Sequence, residues 1–229
     1  MRAGGRVPVR VLRLTSAARL QQIVPEAVLV SDSAAAFHVG HRLSLDHDHV
    51  IADLDDRFET ILDHLESLGD WSTARAQPGK LVLGSLGGIE SGIRQLRRRR
   101  PLEIQTVDVD GSALRVPTIE ETLRIKAWLA LTRNQTRDYL DVAALADRLG
   151  EDDSARVLLA IDDYYADLYE GDDRVATQVA RQLADPRPRD EAVTRQLDRY
   201  RQLDARWHDW NVVVAVCRGV AARMLEVPS

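Results

Sequence analysis

The fold is decided by residues 31–50, which read SDSAAAFHVGHRLSLDHDHV. Near the end of this stretch, Asp46 and Asp48 lie in a run that is typical of a β-strand. Side chains two residues apart in a strand point to the same face, so we expect the two carboxylates to lie side by side. Neighbouring carboxylates repel each other, and a hard divalent cation such as Mg²⁺, which prefers oxygen ligands, relieves that repulsion. The pair therefore predicts a metal site, and the alternative is a solvated pair of acids on an exposed strand edge.

The turn before this strand could bind an anion. Ser33 follows a short apolar run that predicts a strand, and it precedes residues 34–39, which predict a short helix. A hydroxyl and free backbone N–H groups at a helix N-terminus suit a phosphate. The alternative is that Ser33 or Asp32 is simply the N-cap of that helix.

Composition limits the class of protein. The chain has 229 residues, 45% of them hydrophobic, and a formal net charge of −5. It lacks an apolar run long enough to span a bilayer, so we expect no membrane partner. Cys217 is the single cysteine. This count excludes an internal disulfide and a cysteine-based metal site, and it favours the reducing cytoplasm.

Strand patterns come first in the chain and helical patterns follow. This order predicts an α+β protein, with a mixed-sheet α/β domain over residues 1–116 and an all-helical domain over residues 117–229. Residues 1–14, rich in arginine, are expected to form a loosely ordered arm. Strands are predicted at 27–30, 45–52, 80–86, 102–109 and 114–116. Helices are predicted at 16–24, 34–39, 54–68, 118–133, 136–149, 153–169, 173–184, 190–204 and 208–226.

Charged residues on two of these helices form a second candidate cluster. Lys126 and Arg133 are seven residues apart and share a helix face, and Asp138 and Asp141 share a face of the next helix. If the two helices form a hairpin, these groups converge. The alternative is a set of ordinary ion pairs on helix surfaces.

A basic cluster lies between the predicted strands. Its members are Arg94, Arg97, Arg98, Arg99 and Arg100. Arginines of this density would contact the phosphates of a polynucleotide, which adds affinity without reading sequence. The alternative is a solvated helix end whose arginines complement the helix dipole.

Three motifs together resemble the AbiEii/AbiGii-type nucleotidyltransferases, the toxins of a class of bacterial toxin–antitoxin and abortive-infection systems to which the MenT toxins of mycobacteria also belong. The first motif is HRLSLDHD at residues 41–48. The second is LRVPT at 114–118, followed by LRIKA at 123–127. The third is RN at 133–134 with RDYLDVAAL at 137–145. The resemblance covers roughly residues 25–150, and the motifs occur in the family's order.

The resemblance implies a polymerase-β-like nucleotidyltransferase domain followed by a helical domain. It implies transfer of a nucleotide from an NTP to an RNA end, with tRNA 3′ ends as targets in relatives and a cognate antitoxin as protein partner. Carried over by position, Asp46 and Asp48 bind Mg²⁺, Lys126 holds the triphosphate, and Asp141 completes the catalytic set. Ser33 and Arg42 fall at nucleotide-binding positions.

Two alternatives remain open from the sequence. The family normally has glycine before the hydroxyl residue of the turn, whereas this chain has Ser31 and Asp32. A negative charge there favours a degenerate relative that binds RNA or a partner protein without catalysis. The Asp-x-Asp pattern also suits a nucleotidyltransferase that acts on a protein or on a small molecule such as an antibiotic.

Overall fold

The structure is a computed structural model that describes residues 9–200 and 202–226, with side chains described from Leu14 onward. The described residues form two compact units. The first unit contains residues up to Ser33 together with Ser44–Leu96 and Ile104–Pro117. The second contains Ala34–Leu43, Arg97–Glu103 and the described residues from Thr118. Two short segments of the N-terminal half therefore belong to the second, helical unit.

The first unit is built on a mixed five-stranded sheet in the order β1-β2-β5-β4-β3. β2 and β5 are parallel, and the other neighbouring strands are antiparallel. A separate antiparallel pair, β6 and β7, completes its strands. Their bounds are β1 Val28–Val30, β2 His47–Ile51, β3 Trp71–Gln77, β4 Leu81–Leu86, β5 Ile89–Gln95, β6 Ile104–Val109 and β7 Ser112–Pro117.

The core of the first unit lies between this sheet and two helices, α1 (Val9–Ile23) and α3 (Leu54–Glu66). The buried residues of α3 are Leu54, Phe58, Ile61 and Leu65. Their spacing of three and four residues places them on one helix face, which packs against the apolar side chains of the sheet. The predicted arm at 1–14 lies partly outside the described residues. From Val9 onward the chain is helical, so the arm prediction is wrong for that part.

The second unit is helical. Its helices pack around a core of alanine, leucine and valine side chains, which includes Ala35 from the N-terminal segment. Besides α1 and α3, the α-helices of the described residues are α2 Ser31–Val39, α4 Ile119–Thr132, α5 Thr136–Leu149, α6 Glu151–Leu159, α7 Asp162–Tyr165, α8 Val175–Ala184 and α9 Trp210–Glu226. The mixed α+β class with a helical C-terminal region is thus confirmed.

Most predicted helices of the second unit are present, but the one predicted at 153–169 is interrupted after Leu159 and the one predicted at 190–204 is absent. Thr118 caps α4 by accepting a hydrogen bond from the Glu121 amide, as the sequence predicts. The predicted helix at 190–204 is wrong: this stretch contains the short 3-10 turns Glu191–Arg195 and Leu197–Arg199. Its apolar residues, such as Leu197 and Leu203, still pack into the core of the second unit, so tertiary packing and not helical periodicity sets their conformation. No described helix has the length and apolarity to cross a membrane.

Ser31 opens α2 in a left-handed backbone conformation, with φ 66°. That conformation is strained for a residue with a Cβ and is free for glycine. We expect Ser31→Gly to raise the free energy of unfolding by about 1 kcal/mol, measured by urea denaturation. Ser67→Gly is the matched control, because Ser67 has φ −71°. Equal effects of the two substitutions would contradict the strain at Ser31.

Candidate functional site

The predicted site residues fall into two groups, one in each unit, and we describe each group separately. The aspartate cluster of the first unit consists of Asp32, Asp46 and Asp48 with Arg94. The Asp141 cluster of the second unit consists of Asp141 with His41, Arg42 and Lys126.

Asp46 immediately precedes β2, and Asp48 lies within it. The hydroxyl of Ser44 lies 3.2 Å from both the Oδ1 and the carbonyl oxygen of Asp46. The hydroxyl of Ser33 donates to the same carbonyl at 2.5 Å. Ser33 therefore fixes the backbone that carries the first aspartate. The sequence predicted a nucleotide-binding role for Ser33, and that role remains a prediction.

Asp48 stands opposite Gly92 of β5 in the parallel register. A Cβ on Gly92 would lie 2.4 Å from Oδ1 of Asp48, so a larger residue at this position would force the carboxylate to move from the place it now occupies. Sequence analysis did not single out Gly92. A glycine inside a strand is nevertheless a signal of close approach by another group.

The electrostatics of Asp48 suit a cation. Burial raises the pKa of Asp48; Arg94 opposes this shift, and the carboxylates of Asp46 and Asp32 add to it. Nε of Arg94 lies 3.5 Å from Oδ1 of Asp48. Asp32 is buried, and its charge acts electrostatically on Asp48. This chain therefore has an additional acid near the aspartate pair, in the turn where the sequences it resembles normally have glycine.

The residues present fit a divalent ion of the Mg²⁺ type. Mg²⁺ is commonly held by one or two carboxylates, with substrate phosphates and water completing its shell. Asp46 and Asp48 supply that number, and the side chain of Asp48 retains 23% exposure. Across residues 9–200 and 202–226, no group of three or more His, Cys, Asp or Glu side chains has the arrangement of a complete protein-only metal site.

The Asp141 cluster is a group of buried charged and polar side chains that all contact one carboxylate. Nε2 of His41 lies 2.7 Å from Oδ1 of Asp141, and Arg42 donates to both carboxylate oxygens at 2.8 Å. Nζ of Lys126 lies 2.6 Å from Oδ2. Both side chains of the Lys126–Asp141 pair are 0% exposed. Although burial raises the pKa of Asp141, Arg42 and Lys126 hold it well below its usual range.

This geometry gives the predicted residues defined partners. Lys126 and Asp141 do converge from neighbouring helices, as a hairpin of α4 and α5 would bring them together. The Lys126 ammonium, predicted to hold the triphosphate, is buried against Asp141 and does not face solvent in this conformation. Arg42, predicted to bind nucleotide, is likewise engaged in a two-pronged pair with Asp141. The importance of His41 was missed, because a histidine in a loop gives no local sign of a partner 100 residues away.

Asp138 is a second buried acid beside this cluster. It is 0% exposed, and neither carboxylate oxygen has a hydrogen-bond partner among the described residues. Burial raises its pKa to about 6; Lys126 opposes that shift, and Asp141 adds to it. The folded state therefore favours the protonated form of Asp138 more than the unfolded state does.

The stability of the protein should depend on pH through Asp138. Because its pKa in the folded state is about 6, above its ordinary value of 3.8, its favourable contribution to stability is complete below about pH 4 and is lost as pH rises through about 6. Asp138→Asn removes the ionisation, so its free energy of unfolding should not fall in this way. Between about pH 4 and pH 6, we expect the free energy of unfolding of the variant to rise by about 3 kcal/mol relative to that of the wild type. Urea denaturation at pH 4, 5, 6 and 7 measures it. Asp63→Asn, at an exposed position of α3, is the control, and parallel curves for Asp138→Asn and wild type would contradict the prediction.

The predicted basic cluster divides into buried and exposed members. The guanidinium of Arg98 is 1% exposed, pairs with Glu121 at 2.5 Å, and donates to the carbonyls of Arg100 and Pro101. Its assignment to an RNA-binding surface is therefore wrong, because this guanidinium is committed to the interior of the second unit. Arg97, Arg99 and Arg100 are exposed. Arg94 belongs to the first unit and pairs with Asp48.

Comparison with solved structures defines the class of fold. A nucleotidyltransferase candidate from H. pylori superposes with a TM-score of 0.52 at 15% identity, covering 98% of this chain and 99% of that protein. The chain thus has a nucleotidyltransferase-like fold, which confirms the broader part of the sequence prediction. No protein-family model matches the chain.

The sequence relatives are longer proteins of another kind. The Heme uptake protein MmpL11 of Mycobacterium tuberculosis strain H37Rv is 31% identical over 238 aligned positions, which cover 93% of this chain and 22% of that protein. The Mycolic acid-containing lipids exporter MmpL11 of Mycolicibacterium smegmatis is 39% identical over 132 positions, or 57% of this chain and 13% of that protein. The chain therefore spans less than a quarter of the length of these relatives.

Proposed function

We propose that this protein is a nucleotidyltransferase that transfers a nucleoside monophosphate from an NTP to an RNA acceptor, with a divalent ion held by Asp46 and Asp48. The observation that carries the proposal is the paired carboxylates at β2, with Gly92 leaving the space that Asp48 occupies. The nucleotidyltransferase-like fold supports this reading. A bound Mg²⁺ would supply neutralisation of phosphate charge and polarisation of the phosphoryl oxygen.

The protein's own residues set up that chemistry. Ser33 and Ser44 hold the backbone and side chain of Asp46, and Gly92 leaves the space that the Asp48 carboxylate fills. The Asp141 cluster orders residues 41–42 of the second unit by pairing them with α5. In this proposal Asp141 and Lys126 are positioning residues, although the family resemblance implies direct catalytic roles for both.

RNA is the acceptor that the sequence favours. The three-motif resemblance to AbiEii/AbiGii-type toxins implies tRNA 3′ ends, and the exposed residues Arg97 and Arg99 suit phosphate contacts, as does Arg100, whose guanidinium stacks on Tyr164. The same resemblance supports a toxin neutralised by a cognate antitoxin. If so, expression of the chain alone should arrest growth, and co-expression of a neighbouring antitoxin gene should restore it.

The test is a label-transfer assay. The protein is incubated with Mg²⁺, total tRNA and each of the four α-labelled NTPs, with EDTA-treated samples as controls. We expect label on tRNA with at least one NTP and none after chelation. Absence of transfer with all four NTPs would refute the RNA reading. Label on an added protein or aminoglycoside instead would favour the alternative acceptors. Transfer that appears only after glycine replaces Ser31 and Asp32 would identify the natural protein as a degenerate binding module.

A second candidate function follows from the sequence relatives. Since 93% of this chain aligns within a segment of an MmpL11 transport protein, a nucleotidyltransferase-fold module that works with such a transporter is a specific alternative. Co-purification of the tagged chain with an MmpL11 protein from the same genome would favour it. Retention of that interaction in Asp48→Asn, with no label transfer by the wild type, would assign a binding role.

A further inference from the structure

Arg94 is the cation that the structure places next to Asp48. Its Nε lies 3.5 Å from Oδ1 of Asp48, and its side chain is 43% exposed. The residue stands on β5 two positions after Gly92, so it follows directly along the strand face on which Asp48 is accommodated. The arginine contacts Oδ1 of Asp48, the same oxygen that fills the space beside Gly92.

The position of this pair matters because Asp48 is surrounded by acids. Asp46 and Asp32 both act on it electrostatically, and Arg94 is the opposing charge. A monovalent guanidinium and a divalent ion would therefore seek the same carboxylate. The partial exposure of Arg94 allows its side chain to move away without breaking the core, since long arginine side chains at a surface retain rotamer freedom.

We propose that Arg94 is a built-in counter-ion that competes with the divalent cation for Asp48 and so sets the metal affinity of the site. This inference rests on the proposed function, because it takes Asp48 as a metal ligand. A cation that ligates Oδ1 of Asp48 takes the oxygen that the guanidinium now contacts. The positive charge of Arg94 therefore opposes the binding of that cation.

The test measures Mn²⁺ affinity by electron paramagnetic resonance, with no nucleotide present. We expect Arg94→Gln to lower the Kd for Mn²⁺ about tenfold, from Coulomb's law for a divalent and a monovalent charge roughly 6 Å apart in a water-like medium. Arg94→Lys, which keeps the charge, should stay within about threefold of wild type by the same reasoning. Arg75→Gln, at an exposed arginine of β3, is the matched control and should leave the Kd unchanged.

The outcomes separate this proposal from the proposed function. If wild type and Arg94→Gln bind Mn²⁺ equally well, the counter-ion role is overturned and the metal site stands. If the tighter binding of Arg94→Gln survives Asp48→Asn in the same chain, the effect does not pass through Asp48 and the proposal is again overturned. If neither wild type nor Arg94→Gln binds Mn²⁺ at millimolar concentration, both proposals are overturned. Circular dichroism melting curves confirm that each variant is folded.

Discussion

Replacing Asp141 with alanine is expected to lower the free energy of unfolding by about 3–5 kcal/mol, the cost of breaking a buried ion pair from one side. The substitution would leave the charges of Arg42 and Lys126 buried without the carboxylate that both now contact, and their side chains are 0% exposed. Removing one partner of such a cluster lowers the free energy of unfolding by more than the cluster's net contribution to stability, because the remaining buried groups have lost their water as well as their partner. Urea denaturation followed by circular dichroism measures the loss.

The matched control lies on the same helix. Asp147 of α5 is exposed and pairs with Arg206 at the surface. Asp147→Ala should cost no more than about 1 kcal/mol, the usual range for an exposed ion pair. A loss below that value for Asp141→Ala would show that the buried charges find other compensation. Double substitution of Asp141 and Lys126 by apolar residues should recover part of the loss, because it removes one of the buried cations that Asp141 contacts.

The second large effect is on activity. Once transfer to RNA is detected, Asp48→Asn should reduce its rate about a thousandfold, because loss of a metal ligand removes several kcal/mol of transition-state stabilisation. Stability should change by less than about 1 kcal/mol, since the amide relieves repulsion from Asp46 and Asp32 while it gives up the half-exposed pair with Arg94. The combination distinguishes a lost ligand from a lost fold.

The assay is the label-transfer reaction at saturating NTP, with the rate per mole of folded protein as the readout. Asp63→Asn is the control: Asp63 is an exposed carboxylate on α3 of the same unit. Wild-type rates for Asp48→Asn would remove the paired aspartates from the mechanism. Equal losses in Asp48→Asn and Asp63→Asn would point to nonspecific damage.

The sequence predicted the class of fold because its strongest signals are local. The apolar spacing of α3 and the N-cap of α4 are set by neighbours in the chain, and both are found where they are predicted. Two strands were missed. β3 is dominated by exposed and half-exposed positions, and β5 carries Gly92 in its middle. A strand with few β-branched residues and an internal glycine lacks the composition that identifies a strand.

Because β5 was not predicted, the candidate site was only partly predicted. Asp46 and Asp48 could be identified from alternation along one strand. Gly92 and Arg94 meet Asp48 only through the parallel pairing of β2 with β5, which depends on long-range topology. Arg98 is a residue whose predicted exposure was wrong. A run of arginines predicts an exposed surface, yet one member pairs with Glu121 in the interior, which sequence spacing does not reveal.

The wide separation of His41 and Arg42 from Asp141 also bears on how the chain matures. About 100 residues lie between the partners of these contacts. At roughly 5–20 residues per second, the ribosome would add Asp141 some 5–20 seconds after it adds His41 and Arg42. During that interval the nascent chain contains Arg42 but not the carboxylate that pairs with it in the folded protein. Premature termination anywhere before α5 would therefore yield a product that lacks Asp141, the carboxylate that His41 and Arg42 contact, even if its sheet has formed.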